Sequence, residues 1–229
     1  MIDFYFSKDQ GVKVTTVNWR IHKLAQEGVI TRISRGEFTL GSGISYSPSL
    51  SNKQISLYRK LKTEFPFLSI CIWDTSIINE FMLHQPGRFY NLVEVEKEGM
   101  ESLFYFLKGK NMSVYLDPSP ELIRRYLSDE KDPWIVKLLI TESPTQEVNG
   151  INTVTLEKIL VDIFCDELLF DAQQGSEMDR IFKEAFEKYA ISESKMLRYA
   201  SRRRKKQELE IYLNDISKYR QQPNFIANK

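Results

Sequence analysis

Residues 15–40 read TTVNWRIHKLAQEGVITRISRGEFTL, and this stretch decides the architecture. Val17, Ile21, Leu24 and Ala25 recur at helical spacing, so one side of a helix is apolar and is expected to face a core. Thr15 or Thr16 is placed to cap its start, because a hydroxyl there accepts from the free amides of the first turn. Gly28 closes it after Glu27 in the left-handed conformation that ends many helices. The other side presents Thr16, Asn18, Arg20 and Lys23. VITRISRGEFTL (29–40) then predicts two short strands about Ser34-Arg35-Gly36, a hairpin with a basic tip. Upstream, Ile2 to Lys8 reads as the end of an earlier helix, broken at Gly11. Helix, short turn, helix and hairpin is the layout of a winged helix-turn-helix. A complete one has a further helix ahead of these, so either the start is shortened or a partner or a second domain covers the exposed core.

Outward from this unit the chain changes character. GSGISYSPSLSN (41–52) holds two Gly, one Pro and five Ser, the composition of a connection. We read residues 1–44 as the winged helix-turn-helix, 45–52 as linker and 53–229 as a larger mixed domain. In that domain Asn52 to Glu64 is an amphipathic helix, with Ile55, Leu57, Tyr58 and Leu61 as its apolar positions. Strands are expected at Leu68–Trp73, Phe89–Val95, Met112–Leu116 and Trp134–Ile140. Helices are expected from Thr75 (capped by it or Asp74) to Leu83, at Glu98–Leu107 and at Pro120–Leu127. From Leu156 on the pattern is nearly all helix, so the fold class is α+β, with helices closing the chain. The aromatics Phe89, Tyr90, Phe104, Tyr105 and Phe106 are expected in the core.

The whole chain has 229 residues, with 32 Lys and Arg against 31 Asp and Glu, a formal charge of +1. No global field draws it to nucleic acid or membrane. Residues 1–41 carry six basic and four acidic side chains, about +2. The local chemistry is more specific. A helix of this length fits the major groove, where Asn18 can pair with an adenine edge and Arg20 with guanine. Thr15, Thr16 and Lys23 suit phosphate contacts, which position without specifying. Arg32 and Arg35 on the hairpin would hold the neighbouring backbone or enter the minor groove. His22 belongs to the exposed side of the same helix. No heptad seam enforces a dimer, so the chain would sit on DNA as monomer or dimer.

VNWRIHKLAQEGVITRISRGEFTL resembles the opening of the abortive-infection AbiE-type antitoxins, the DNA-binding members of type IV toxin–antitoxin systems. Their pattern L-x-x-x-G-x-I-x-R-x-x-R-G-x-[FY] is matched at Leu24, Gly28, Ile30, Arg32, Arg35, Gly36 and Phe38. A second string, V-T-x-x-[RK]-T-[LI]-x-D, is matched at Val154, Thr155, Lys158, Leu160 and Asp162, with Ile159 where the family has Thr. The resemblance implies a transcriptional autorepressor that binds inverted repeats of double-stranded DNA in its own promoter. It also implies an antitoxin that counteracts a nucleotidyltransferase-like toxin, with or without a stable complex.

Enzymatic signatures are sparse. His22 and His84 lack metal-site spacing, Cys71 and Cys165 form no CxxC pair, and phosphate-binding and serine-hydrolase motifs are missing. Asp162 and Asp166, at i and i+4 with Glu167 beside them, invite comparison with restriction-type nucleases. No strand bearing E-x-K follows them, so capping or ion pairing is expected instead. No catalytic residue, metal or cofactor is expected. The densest charge is Arg198 and Arg202-Arg203-Arg204-Lys205-Lys206; on one helix such a run is a basic collar, either a solvated surface or a contact for nucleic acid or a protein partner. No apolar run is long enough to span a bilayer and the start is no signal peptide, so a cytoplasmic protein is expected. Two alternatives stand beside the regulator: a nucleic-acid-processing enzyme with a nuclease-like second domain, and an adaptor whose winged helix binds protein.

Overall fold

In the computed structural model, residues 14–26, 30–34, 37–40, 44–127 and 130–220 are described. The helix Val14–Gln26 (α1) is followed by an antiparallel hairpin of Ile30–Ser34 (β1) and Glu37–Leu40 (β2), with Ile30 opposite Leu40 and Arg32 opposite Phe38. Val17, Ile21 and Ile30 form a small core, with Leu24 and Phe38 packed against it. Two expectations are corrected. The helix already includes Val14, so Thr15 and Thr16 lie inside its first turn and do not cap it. Ala25 is exposed, because each i+4 step advances about 40° around a helix and carries it past the side set by Val17 and Leu24. The stretch Ile2 to Lys8, Gly28 and the hairpin residues Arg35 and Gly36 lie outside the described residues.

The second unit opens with the helix Asn52–Glu64 (α2). Ser51 caps it in a reciprocal box: its hydroxyl accepts from the Gln54 amide, and Gln54 Oε1 accepts from the Ser51 amide at 2.7 Å. A four-stranded sheet follows, in the spatial order Ile70–Asp74 (β3), Asn91–Val95 (β4), Trp134–Leu138 (β6), Val114–Leu116 (β5). Strand β3 runs antiparallel to β4, while β4 and β5 run parallel to β6. The central strands are covered on both faces, which is why they read as nearly continuous apolar runs. Strand alternation sorts their side chains. Ile70, Ile72, Val93, Val95, Trp134 and Val136 pack with Leu57 and Leu61 of α2 and with Leu103 and Leu107 of the helix Met100–Lys108 (α3). Cys71, Trp73, Leu92 and Ile135 face the carboxy-terminal helices.

Three connections differ from expectation. Thr75–Phe81 is a tighter 3-10 helix, capped by Asp74, whose carboxylate accepts from the Ser76 amide. Pro120–Leu122 is helical and widens into a π-helical turn over Ile123–Leu127. A hairpin of Thr145–Val148 (β7) and Ile151–Val154 (β8) was not expected; it turns on Asn149 and Gly150 at φ of 53° and 78°. Its second strand lies along the outer edge of β3. There Asn152 Nδ2 donates to the Ile70 carbonyl at 2.8 Å and Thr153 Oγ1 to the Ile72 carbonyl at 2.7 Å.

Helices Leu156–Cys165 (α4), Ser176–Lys188 (α5), Glu193–Arg202 (α6) and Lys206–Arg220 (α7) complete the described chain, as the helix-rich reading expected. The connection around residue 46 is irregular but held: Tyr46 is buried between Phe81 and Tyr189, and the Ala190 amide donates to the Ile44 carbonyl. Of the aromatics assigned to the core, Phe104 and Phe106 pack inward while Tyr105 is exposed. Consecutive helical residues point about 100° apart, so the three cannot share one side.

Candidate nucleic-acid interface and a buried charge network

Around the rest of its circumference α1 displays Thr15, Thr16, Asn18, Trp19, Arg20, His22 and Lys23, all exposed. The helix contains two residues of fixed positive charge, Arg20 and Lys23, and no acid. The structure therefore leaves five of the seven expected DNA contacts exposed on one helix, with Asn18 and Arg20 on opposite flanks of it. Arg32 lies in β1, but its side chain is outside the description, and Arg35 is outside the described residues. Trp19 escaped the sequence reading, since no periodicity marks an apolar residue that stays in water. It is 61% exposed, with Lys23 Nζ standing 5.5 Å from its ring centroid.

The basic run does not form a collar on one helix. Helix α6 ends at Arg202 and α7 begins at Lys206, so the run is the corner between them. Arg204 takes the left-handed conformation at φ 58°; its amide donates to the Ser201 carbonyl and that of Lys205 to the Ala200 carbonyl. These are the two bonds of a Schellman closure, which satisfies the last carbonyls of α6 and turns the chain. The charges then part company. Arg202 pairs with Glu142 and Lys205 with Glu208 on the surface, Arg203 turns inward, and Arg198, Arg204 and Lys206 are exposed.

Arg203 enters a line of alternating charge beneath a cleft of about 220 Å3. The cleft opens at the carboxyl ends of the parallel strands, where Asp117 and Leu138 stand beside Lys137, Asp166, Arg203 and Trp73. Lys137 Nζ lies 2.9 Å from Asp166, Arg203 bridges Asp166 at 2.6 Å and Asp162 at 2.5 Å, and Lys158 bridges Asp162 at 2.5 Å and Glu94 at 2.8 Å. Trp73 Nε1 donates to Glu94 at 2.7 Å, and the Tyr199 hydroxyl donates to Asp162 at 2.8 Å. Glu94 and Lys137 are register partners on adjacent parallel strands, while Lys158 and Asp162 are one turn apart on α4. The sheet and two helices of the helical layer, α4 and α6 with their C-terminal caps, thus meet in one polar seam.

Burial opposes charge on Lys158, but the adjoining Asp162 and Glu94 carboxylates outweigh it and hold the ammonium well above the ordinary lysine value. Arg203 is raised in the same way, burial being outweighed by Asp162 and Asp166. Burial would push the Asp166 carboxyl up, yet Lys137 and Arg203 keep it below its usual range. Burial raises the Tyr199 hydroxyl, and Asp162 raises it further. The ion-pairing role expected of Asp162 and Asp166 is the one they have. Lys158 was named only as part of the second string and Glu94 not at all, although a lysine inside LEKILVDIF was the available signal for a buried ion pair.

Other candidates are quiet. His84 Nδ1 lies 2.9 Å from Glu177 on the surface, and His22 is exposed on α1. Both thiols are free; burial raises that of Cys71 and pushes that of Cys165 up to about 11. Among the described residues, no group of three or more His, Cys, Asp or Glu could hold a metal ion, and no helix is long and apolar enough to cross a membrane.

Fold and site together define a mixed α+β protein: a small helix–hairpin unit followed by a sheet whose helical layer is tied on by buried ion pairs. Residues 16–219 match the model described as Family of unknown function (DUF6577), and the chain belongs to that family. No curated protein and no solved structure matches it.

Proposed function

We propose that the chain is a DNA-binding regulator: a transcriptional autorepressor and antitoxin whose helix–hairpin unit reads DNA as a winged helix-turn-helix. The observation that carries this is α1, which seals an apolar side against its own hairpin and leaves an acid-free surface with Arg20 and Lys23 outward. That division of labour suits a reading helix, since a groove lined by phosphates attracts cations and bases accept polar side chains. In this reading α1 lies in the major groove and the β1–β2 hairpin rests on the adjacent backbone. The antitoxin role, against a nucleotidyltransferase-like toxin, is supported by the resemblance at Leu24 to Phe38 and Val154 to Asp162. The network gives the second string a physical task, because Lys158 and Asp162 tie α4 to the sheet.

The rival reading is magnesium-dependent cleavage of nucleic acid by the second unit. The Lys158 ammonium counts against it, since it already bridges Glu94 and Asp162, where a nuclease of that kind would hold its metal.

Fluorescence anisotropy over a salt series tests the proposal, with duplex DNA from upstream of the gene and a scrambled control. Wild type is expected to prefer the upstream duplex. An Arg20→Ala/Lys23→Ala variant is expected to bind more weakly, its log–log salt slope lower by about 0.9 for each phosphate it no longer neutralises. Equal binding to both duplexes, or none, would remove the reading.

A further inference from the structure

The exposed side of α1 has a centre, and none of the polar residues chosen from the sequence occupies it. At about 100° per residue, Val17, Ile21 and Leu24 set the direction of the core, and Trp19 points within about 15° of the opposite way. Thr15 and Lys23 stand one turn before and after it, whereas Asn18 and Arg20 lie on its two flanks. The other two tryptophans of the chain, Trp73 and Trp134, are 1% and 2% exposed. An indole held in water at the middle of a polar surface is the kind of side chain on which interfaces concentrate their binding energy.

We infer that Trp19 is the anchor of the DNA interface, its ring covering thymine 5-methyl groups on the floor of the major groove. This rests on the DNA-binding reading above. A helix lying in the groove presents to the floor the side chain opposite its own core, which here is Trp19. The floor is a row of hydrogen-bonding edges broken by one apolar group, the methyl of thymine. The indole face matches that group, and its single N–H can donate to a neighbouring base acceptor. Charge complementarity selects the occupant: α1 has no acid, and Lys23 holds its ammonium against the ring. Arg20 and Lys23 then reach the phosphate walls while the ring goes to the bottom. Preference for A·T pairs beneath Trp19 follows, and it depends on the methyl alone.

The test uses the full chain, a duplex from upstream of the gene, the same duplex with deoxyuridine replacing every thymidine, and a scrambled duplex. Wild type is expected to bind the uridine duplex more weakly, by about fourfold for each methyl the ring covers. Trp19→Ala is expected to lose about tenfold or more on the thymidine duplex and to treat the two duplexes alike. Its thermal unfolding should match wild type, because the side chain lies outside the core. Iodide quenching supplies a separate readout: Trp19 is the tryptophan open to iodide in the free protein, and DNA should shield it. Unchanged binding by Trp19→Ala, equal wild-type affinity for the two duplexes, or an indole still open to iodide in the complex would each overturn the inference and leave DNA binding standing. A wild type that does not prefer the upstream duplex over the scrambled one would overturn the DNA-binding reading, and this inference with it.

Discussion

Replacing Lys158 by methionine keeps all but the last atom of the side chain's length and removes the cation at the centre of the seam. Its side chain is 1% exposed and those of Glu94 and Asp162 are 6% and 5%, so no solvent is at hand to take over. Asp162 would keep Arg203 and Tyr199, but Glu94 would keep only the Trp73 indole. Breaking a buried ion pair from one side costs about 3–5 kcal/mol, and the support left to Asp162 points to the lower end, about 3. At about 2–4 °C per kcal/mol for a chain of this size, Tm should fall by roughly 6–12 °C. Urea unfolding at pH 7 would measure it. Adding Glu94→Gln should recover part of the loss at pH 7. A Lys158→Met chain as stable as wild type at pH 7 would refute the argument, since burial of the charges would then cancel their attraction.

Four further outcomes follow from the geometry. Arg204→Gly should raise stability by about 1 kcal/mol in urea unfolding, since Gly accepts the left-handed corner that costs an L-residue about that much. Gly150→Ala should lower it by about 1 kcal/mol through backbone strain alone, because no atom lies within 4 Å of the added methyl. The lowered carboxyl of Asp166 contributes stability that is full above the ordinary aspartate value of about 3.9 and is lost as pH falls through its folded value. Asp166→Asn should therefore flatten the acid limb of the stability profile at that end. Neither thiol should react quickly with a disulfide reagent at neutral pH in the folded protein, and both should react on unfolding.

Much of the second unit was legible because its elements obey a single period. Asn52–Glu64 carries both its cap, Ser51, and its apolar stripe in the sequence, and its bounds match the structure. The buried strands ICIWD and NLVEV announce themselves as apolar runs. The β7–β8 hairpin was missed although Asn149-Gly150 is a strong turn signal, because its strands, TQEV and INTV, carry too little apolar character to be read as strands. The charge seam was illegible for a different reason. Glu94, Lys137, Lys158 and Arg203 come from four places in the chain, and only the fold makes them neighbours. The basic run misled because five like charges suggest one solvated surface, whereas a left-handed Arg204 splits them between a corner, a seam and the solvent. On α1 the polar residues were found and the centre was not, since polar side chains were sought there and an outward tryptophan is not one of them.

The hairpin laid along β3 also bears on how the molecule behaves in a crowd. An outermost strand with free carbonyls is a template on which another chain can add its own strand, and so a starting point for aggregation. Here Asn152 and Thr153 occupy those carbonyls with side chains, so the sheet is closed on that side without being lengthened. Two hydrogen bonds from short polar residues thus do the work of a fifth strand. Substituting both with alanine would remove these two bonds, one of them from the fully buried Thr153, so the hairpin would be held to the edge less firmly and the Ile70 and Ile72 carbonyls could be reached by a neighbour. Such a chain should remain folded when dilute and form strand-linked oligomers as its concentration rises.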